Sequence, residues 1–118
     1  MINSVKLSLF ALGSMLMLGC HKDDNNNQVN CDTEISYASD IQPLLNTNCS
    51  TSGCHDAQSN SAGYVFENYT QANDNASIIL SVIKHENGFQ AMPQNAAKLS
   101  NEQIKLVECW IQQGKLNN

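Results

Sequence analysis

The sequence predicts an all-α domain, and three local patterns carry that prediction. Ser39-Asp40-Ile41-Gln42 spells a capping box, in which the serine oxygen accepts from the backbone three residues on and the glutamine reaches back. Ser100-Asn101-Glu102-Gln103 repeats it, with Leu99 and Ile104 placed to close a hydrophobic staple over the helix start. Between them, Ile78 with Val82 and Ile79 with Ile83 make the i, i+4 apolar pairs of a buried helix, although such β-branched residues would also suit a strand.

Taken in order, the 118 residues divide into three parts. Residues 1–19 hold Lys6, an apolar run from Leu7 to Leu18, and Gly19, which is the length of a secretory signal and too short to span a membrane. Met17-Leu18-Gly19-Cys20 looks like a bacterial lipobox, which implies cleavage before Cys20 and lipid on its sulfur. Acyl chains contribute roughly 0.8 kcal/mol per buried methylene, so several on one residue make a stable anchor. The expectation is an exported protein tethered at the periplasmic or outer-surface side of a bacterial membrane. Residues 20–30 read as a spacer: from His21 to Asn30 there are four asparagines and one apolar side chain, too little to repay the entropy of ordering. The folded unit runs from 31 to 118, about 88 residues, a size that usually needs a disulfide, a metal or a cofactor.

Charge narrows the partners. The formal net charge is -5, and loss of Lys6 with the signal makes it -6. No arginine is present and the six lysines are dispersed, which excludes recognition of nucleic acid through clustered cations.

Within the unit, Pro43 falls in the first turn of the first helix, where its missing N–H costs little, and Ile41, Leu44 and Leu45 share a face. That helix ends near residues 46–48 and delivers the chain to Cys49. Residues 56–63 read as loop, and Tyr64, Val65, Phe66 and Tyr69 as short apolar stretches. An Asn/Asp run at 73–75 offers caps to a second helix over 77–84. Residues 85–98, with Gly88 and Pro93, have no period, and a loop of 14 residues in so small a domain usually lines a site. In the last helix Ile104, Val107 and Ile111 form one face and Gly114 suits the C-terminal cap, while Cys109 lies roughly opposite. A second segment must therefore cover that side.

The five cysteines are Cys20, Cys31, Cys49, Cys54 and Cys109. Giving Cys20 to lipid leaves four. Cys31 and Cys109 stand near the two ends of the unit, where a single intrachain disulfide would constrain most chain, and export permits it. That pairing is the expectation, with free thiols or another pairing as alternatives.

Cys49 and Cys54 flank four small residues, Ser50, Thr51, Ser52 and Gly53, and Cys54 runs straight into His55. Attachment of haem c needs two thiols for its vinyl groups and a following imidazole for the iron, usually as C-x-x-C-H. Here the spacing is C-x-x-x-x-C-H, and Gly53 can take the positive φ that lets the surplus residues loop away. Zinc and a further disulfide are the rival readings. Zinc usually takes a second, similarly spaced pair of ligands, which this chain lacks. Met92, in the long loop beside Pro93, would be core filler in isolation. Beside a Cys-Cys-His element it becomes a candidate sixth ligand, with His85 as its competitor.

The order of these elements resembles the small exported class I-like cytochromes c of bacteria. The resemblance lies in Ile41-Gln42-Pro43-Leu44-Leu45, the Cys49 to His55 element, His85-Glu86-Asn87-Gly88, Ala91-Met92-Pro93, Leu99-Ser100 with Gln103-Ile104, and Trp110-Ile111 with Gly114. It covers roughly residues 38–116. The resemblance implies three to four helices wrapped around one covalent haem c, with Cys49 and Cys54 as thioether residues, His55 as proximal and Met92 as distal iron ligand. It implies electron transfer to redox protein partners rather than catalysis. Cys31 and Cys109 lie outside the family pattern. Trp110, Tyr64, Phe66 and Phe89 are expected in the core or along the haem wall.

Overall fold

A computed structural model describes residues 30–118. The expected signal, the expected lipidation at Cys20 and most of the expected spacer lie outside the described residues. The described residues are helical, without a β-strand, as expected of an all-α domain. The helices are α1 (Gln42–Asn48), α2 (Tyr69–Asp74), α3 (Ala76–Lys84) and α4 (Asn101–Gln112).

The entry to α1 departs from expectation. The chain first makes a wide turn over Tyr37–Ile41 in which Ile41 N–H reaches Ser36 C=O at 3.3 Å, so Ser39 is inside helical structure and Ser36 is the cap. Ser36 Oγ accepts from Ser39 N–H at 3.2 Å, and the Asp40 carboxylate accepts from Ser36 N–H at 2.8 Å. Long-range bonds hold the same turn: Asn118 accepts from Ala38 N–H through its carbonyl and from Tyr37 N–H through its side chain, both at 2.9 Å. These bonds engage N–H groups at the start of the turn that a helix end leaves unpaired. Pro43 does sit in the first turn of α1.

Helix α2 was not expected. Its six residues are too few to show a period, yet Asn68 and Gln71 form a reciprocal capping box around its start. Asn75 then breaks the chain direction between α2 and α3 without capping α3. Its side chain instead donates to Gln71 C=O at 2.8 Å. Residues 77–84 are helical, not extended, and Ala76, Ile79 and Ile83 turn inward.

Helix α4 follows its pattern closely. Ser100 and Gln103 form the capping box, Leu99 and Ile104 are both buried, and Gly114 (φ +93°) ends the helix. Lys115 N–H bonds Trp110 C=O at 2.8 Å and Gly114 N–H bonds Ile111 C=O at 3.1 Å, the paired closure that a left-handed residue makes possible.

Helix α4 packs on α3 and on the Tyr37–Ile41 turn. The Tyr37 ring meets Tyr69 edge-on at 5.2 Å and Trp110 at 5.7 Å between centroids, joining the first turn, α2 and α4. Trp110, 1% exposed, donates Nε1–H to Leu116 C=O at 3.0 Å, which satisfies its one polar atom. The second face of α4 is covered as the position of Cys109 required. Cys31 and Cys109 form a disulfide, and Gln113 accepts from Ile35 N–H while donating to the carbonyls of Cys31 and Thr33. One side chain thus supplies partners to an extended segment that has no sheet to join.

Candidate functional site

The Cys49 to His55 element leaves the end of α1 under tight control. Cys49 and Ser50 N–H groups both bond Leu45 C=O at 2.8 Å, closing the helix. His55 N–H then bonds Cys49 C=O at 3.0 Å, so the intervening residues are a closed excursion whose ends nearly meet. Inside it, Cys54 N–H bonds Thr51 C=O at 2.9 Å and Gly53 has φ +85°, as at the third position of a type II turn. Gly53 N–H also donates to Ser59 Oγ at 2.8 Å, and Ser61 Oγ donates to Gly53 C=O at 3.2 Å. The two surplus residues are therefore absorbed in a pinned turn. Asp56 sits below the usual carboxylate range, chiefly because the Ser59 side chain hydrogen-bonds it, which stiffens the same turn.

His55 is held by residues 64–66. Its carbonyl accepts from Phe66 N–H at 3.0 Å, and its ring lies 4.9 Å from the Phe66 ring, centroid to centroid. Its Nδ1 lies 3.1 Å from Tyr64 C=O. A carbonyl can only accept, so Nδ1 carries a proton, and in the neutral ring the lone pair is on Nε2. That is how a metal-ligating imidazole is usually oriented, with its second nitrogen donating to a carbonyl.

Cys49 and Cys54 are free thiols, while Cys31 and Cys109 are joined. The two free thiols differ sharply. Cys49 is buried, which pushes its thiol up to about 11 with a smaller contribution from nearby Cys54; Cys54 is exposed. Among the described residues no three or more His, Cys, Asp or Glu side chains stand together as a metal-binding group. The zinc reading would need such a group, and the disulfide has already taken Cys31 and Cys109 out of reach.

Met92 is fixed through its backbone. Its N–H donates to Val82 C=O at 3.0 Å, in the last turn of α3, and its C=O lies 3.1 Å from His85 Nε2. The Met92–Pro93 peptide is cis.

These pieces converge on one cavity of about 700 Å³ lined by Cys49, Cys54, His55 and Met92 together. Its remaining lining includes Asn48, Ala62, Gln90, Ala96 and Ala97, and none of the lining residues is Asp, Glu, Lys or Arg. A second cavity of about 270 Å³ adjoins it, sharing His55, Ala62, Gln90 and Met92, with Phe66, Ile79 and Val82 as its apolar wall and Phe89 at 46% exposure. The size falls in the range of sites for small molecules and cofactors. His85 lines neither cavity. Trp110 is in the core away from both, whereas Tyr64, Phe66 and Phe89 line the smaller one. Sequence reasoning missed the Tyr64 carbonyl that orients His55, since a main-chain acceptor leaves no mark in residue type. It also missed the Ala96 and Ala97 wall, which is visible only once the loop is folded.

No family model matches this chain, and no curated protein or solved structure is significantly similar to it.

Proposed function

We propose that the protein is a monohaem c-type cytochrome with a class I-like fold, anchored outside the cytoplasm through lipid on Cys20, that transfers electrons between redox protein partners. One observation carries the reading. Two free thiols, an imidazole whose Nδ1 is committed to a carbonyl, and a thioether side chain line a single uncharged cavity.

The residues present fit a covalent haem. Cys49 and Cys54 would hold it through thioether bonds, each S–H adding across a vinyl C=C with sulfur to one carbon and hydrogen to the other, so that no external oxidant would be consumed. That chemistry requires thiols, and the disulfide at Cys31–Cys109 leaves two of them at Cys49 and Cys54. When bound, haem supplies reversible one-electron chemistry at its iron. His55 Nε2 and the Met92 sulfur would hold the iron, both from the lining of the same cavity. The Tyr64 carbonyl holds the His55 ring against rotation and keeps its proton on Nδ1. The lining without formal charges offers no carboxylate to favour the more positive oxidised state.

Methionine ligation is tested by the weak far-red absorption band of a sulfur-ligated ferric haem. The band is expected in the wild type, lost in Met92→Ala and kept in His85→Ala. A wild type without the band that acquires it in His85→Ala would make His85 the ligand, and a band retained in Met92→Ala would refute ligation by Met92.

A further inference from the structure

The end of α3 spends a histidine where glycine is the usual choice. His85 has φ +59° and ψ +44°, the left-handed conformation, and around it Glu86 N–H bonds Ser81 C=O at 3.0 Å while His85 N–H bonds Val82 C=O at 3.3 Å. Glycine makes this closure without the Cβ clash that a left-handed L-residue meets. A cap alone gives no reason for an imidazole. The ring's contact does: its Nε2 lies 3.1 Å from Met92 C=O, where only an N–H donor can pair. Since Met92 N–H already donates to Val82 C=O, both polar backbone groups of Met92 are tied to the last turn of α3 and the residue that ends it.

We infer that His85 is a positioning residue for Met92: its side chain fastens the loop from outside the cavity, so that the thioether faces the site with little freedom to swing out. This rests on the cytochrome reading for its consequence at iron, but the clamp itself is a property of the chain. An imidazole that the sequence offers as a rival ligand is thereby engaged in holding the methionine. The hydrogen bond is exposed, so its loss should weaken the hold on the loop by a modest factor, roughly 2- to 10-fold.

Two variants separate the clamp from the cap. His85→Gly removes the donor and relieves the left-handed backbone. His85→Asn also tolerates that backbone, but its amide ends one bond short of the Nε2 position. With the full haem-loaded chain, imidazole is titrated against the far-red band, and exchange of the Met92 amide hydrogen is followed in parallel. Both variants should bind imidazole roughly 2- to 10-fold more tightly and exchange the Met92 amide faster by a similar factor, without a lower melting temperature in His85→Gly. The inference is overturned if neither quantity moves, or if they move in His85→Gly alone, which would assign the effect to glycine's backbone freedom. Met92→Ala is the separate control on ligation. If it leaves the band and the imidazole affinity unchanged, the methionine reading fails, and amide exchange in the His85 variants still decides the clamp.

Discussion

Removal of the disulfide should be the most damaging change that leaves the candidate site untouched. The double variant Cys31→Ala/Cys109→Ala cuts a cross-link between residues 78 apart in sequence. A closed loop of about 79 residues corresponds to roughly 4.5 kcal/mol of lost chain entropy in the unfolded state, and natural disulfides commonly deliver about 2–4 kcal/mol of it. Alanine is chosen because Cys109 is 2% exposed, so serine would bury a hydroxyl. The three hydrogen bonds of Gln113 to residues 31, 33 and 35 remain to hold the segment, so the fold should survive. For a domain of this size a loss of about 2–4 kcal/mol lowers the melting temperature by roughly 10–30 °C. Urea unfolding of the chain measures it, with m rising because the freed unfolded chain exposes more surface. A loss below about 1 kcal/mol with m unchanged would refute the claim that this bond constrains the unfolded domain from end to end.

Alkylation of haem-free chain at pH 8 should label exposed Cys54 at least roughly 100-fold faster than Cys49, whose thiol is buried and pushed up to about 11; equal rates read by peptide mass spectrometry would contradict the site geometry. Lys84 is raised above its ordinary 10.5, first by its hydrogen bond to Glu108 at 3.0 Å, so the stability it contributes is fully present below about pH 10.5 and is lost as pH rises through the higher folded value. Its side chain is 36% exposed and solvent screens the pair, so Lys84→Met should cost no more than about 1 kcal/mol at pH 7 in denaturant unfolding, with the difference vanishing in strong alkali. A cost that grows with alkalinity would reverse the assigned sign.

What could be read in advance divides by the range of the forces involved. Ser100, Gln103 and Gly114 act within one turn of their own helix, and the residues that spell cap and stop are the residues that make them. Cys31 and Cys109 were legible for a different reason, because covalent chemistry leaves few pairings once Cys49 and Cys54 are set aside. Ser39 misled because a rival cap lies one turn earlier, Ser36 with Ser39 N–H and Asp40, and Asn118, about 80 residues away, holds the same wider turn through bonds that no local pattern shows. Helix α2 escaped notice because six residues carry no measurable period, although Asn68 and Gln71 do spell its cap. At the site, Cys49, Cys54 and His55 were nameable from their spacing and Met92 only in their company, and the fold brings the four to one cavity. The Tyr64 carbonyl and the His85 clamp were not, since both depend on which backbone oxygen a folded loop presents.

The central claim is that Cys49 and Cys54 carry a haem, and intact mass of the protein produced with a cytochrome c maturation system tests it most directly. The account predicts a red product that carries the mass of one haem beyond its processed, lipid-bearing polypeptide, with one disulfide, with neither Cys49 nor Cys54 open to alkylation, and with the haem mass lost in Cys49→Ala/Cys54→Ala. A colourless product without the haem mass, with Cys49 and Cys54 both alkylated or joined to each other, would contradict it.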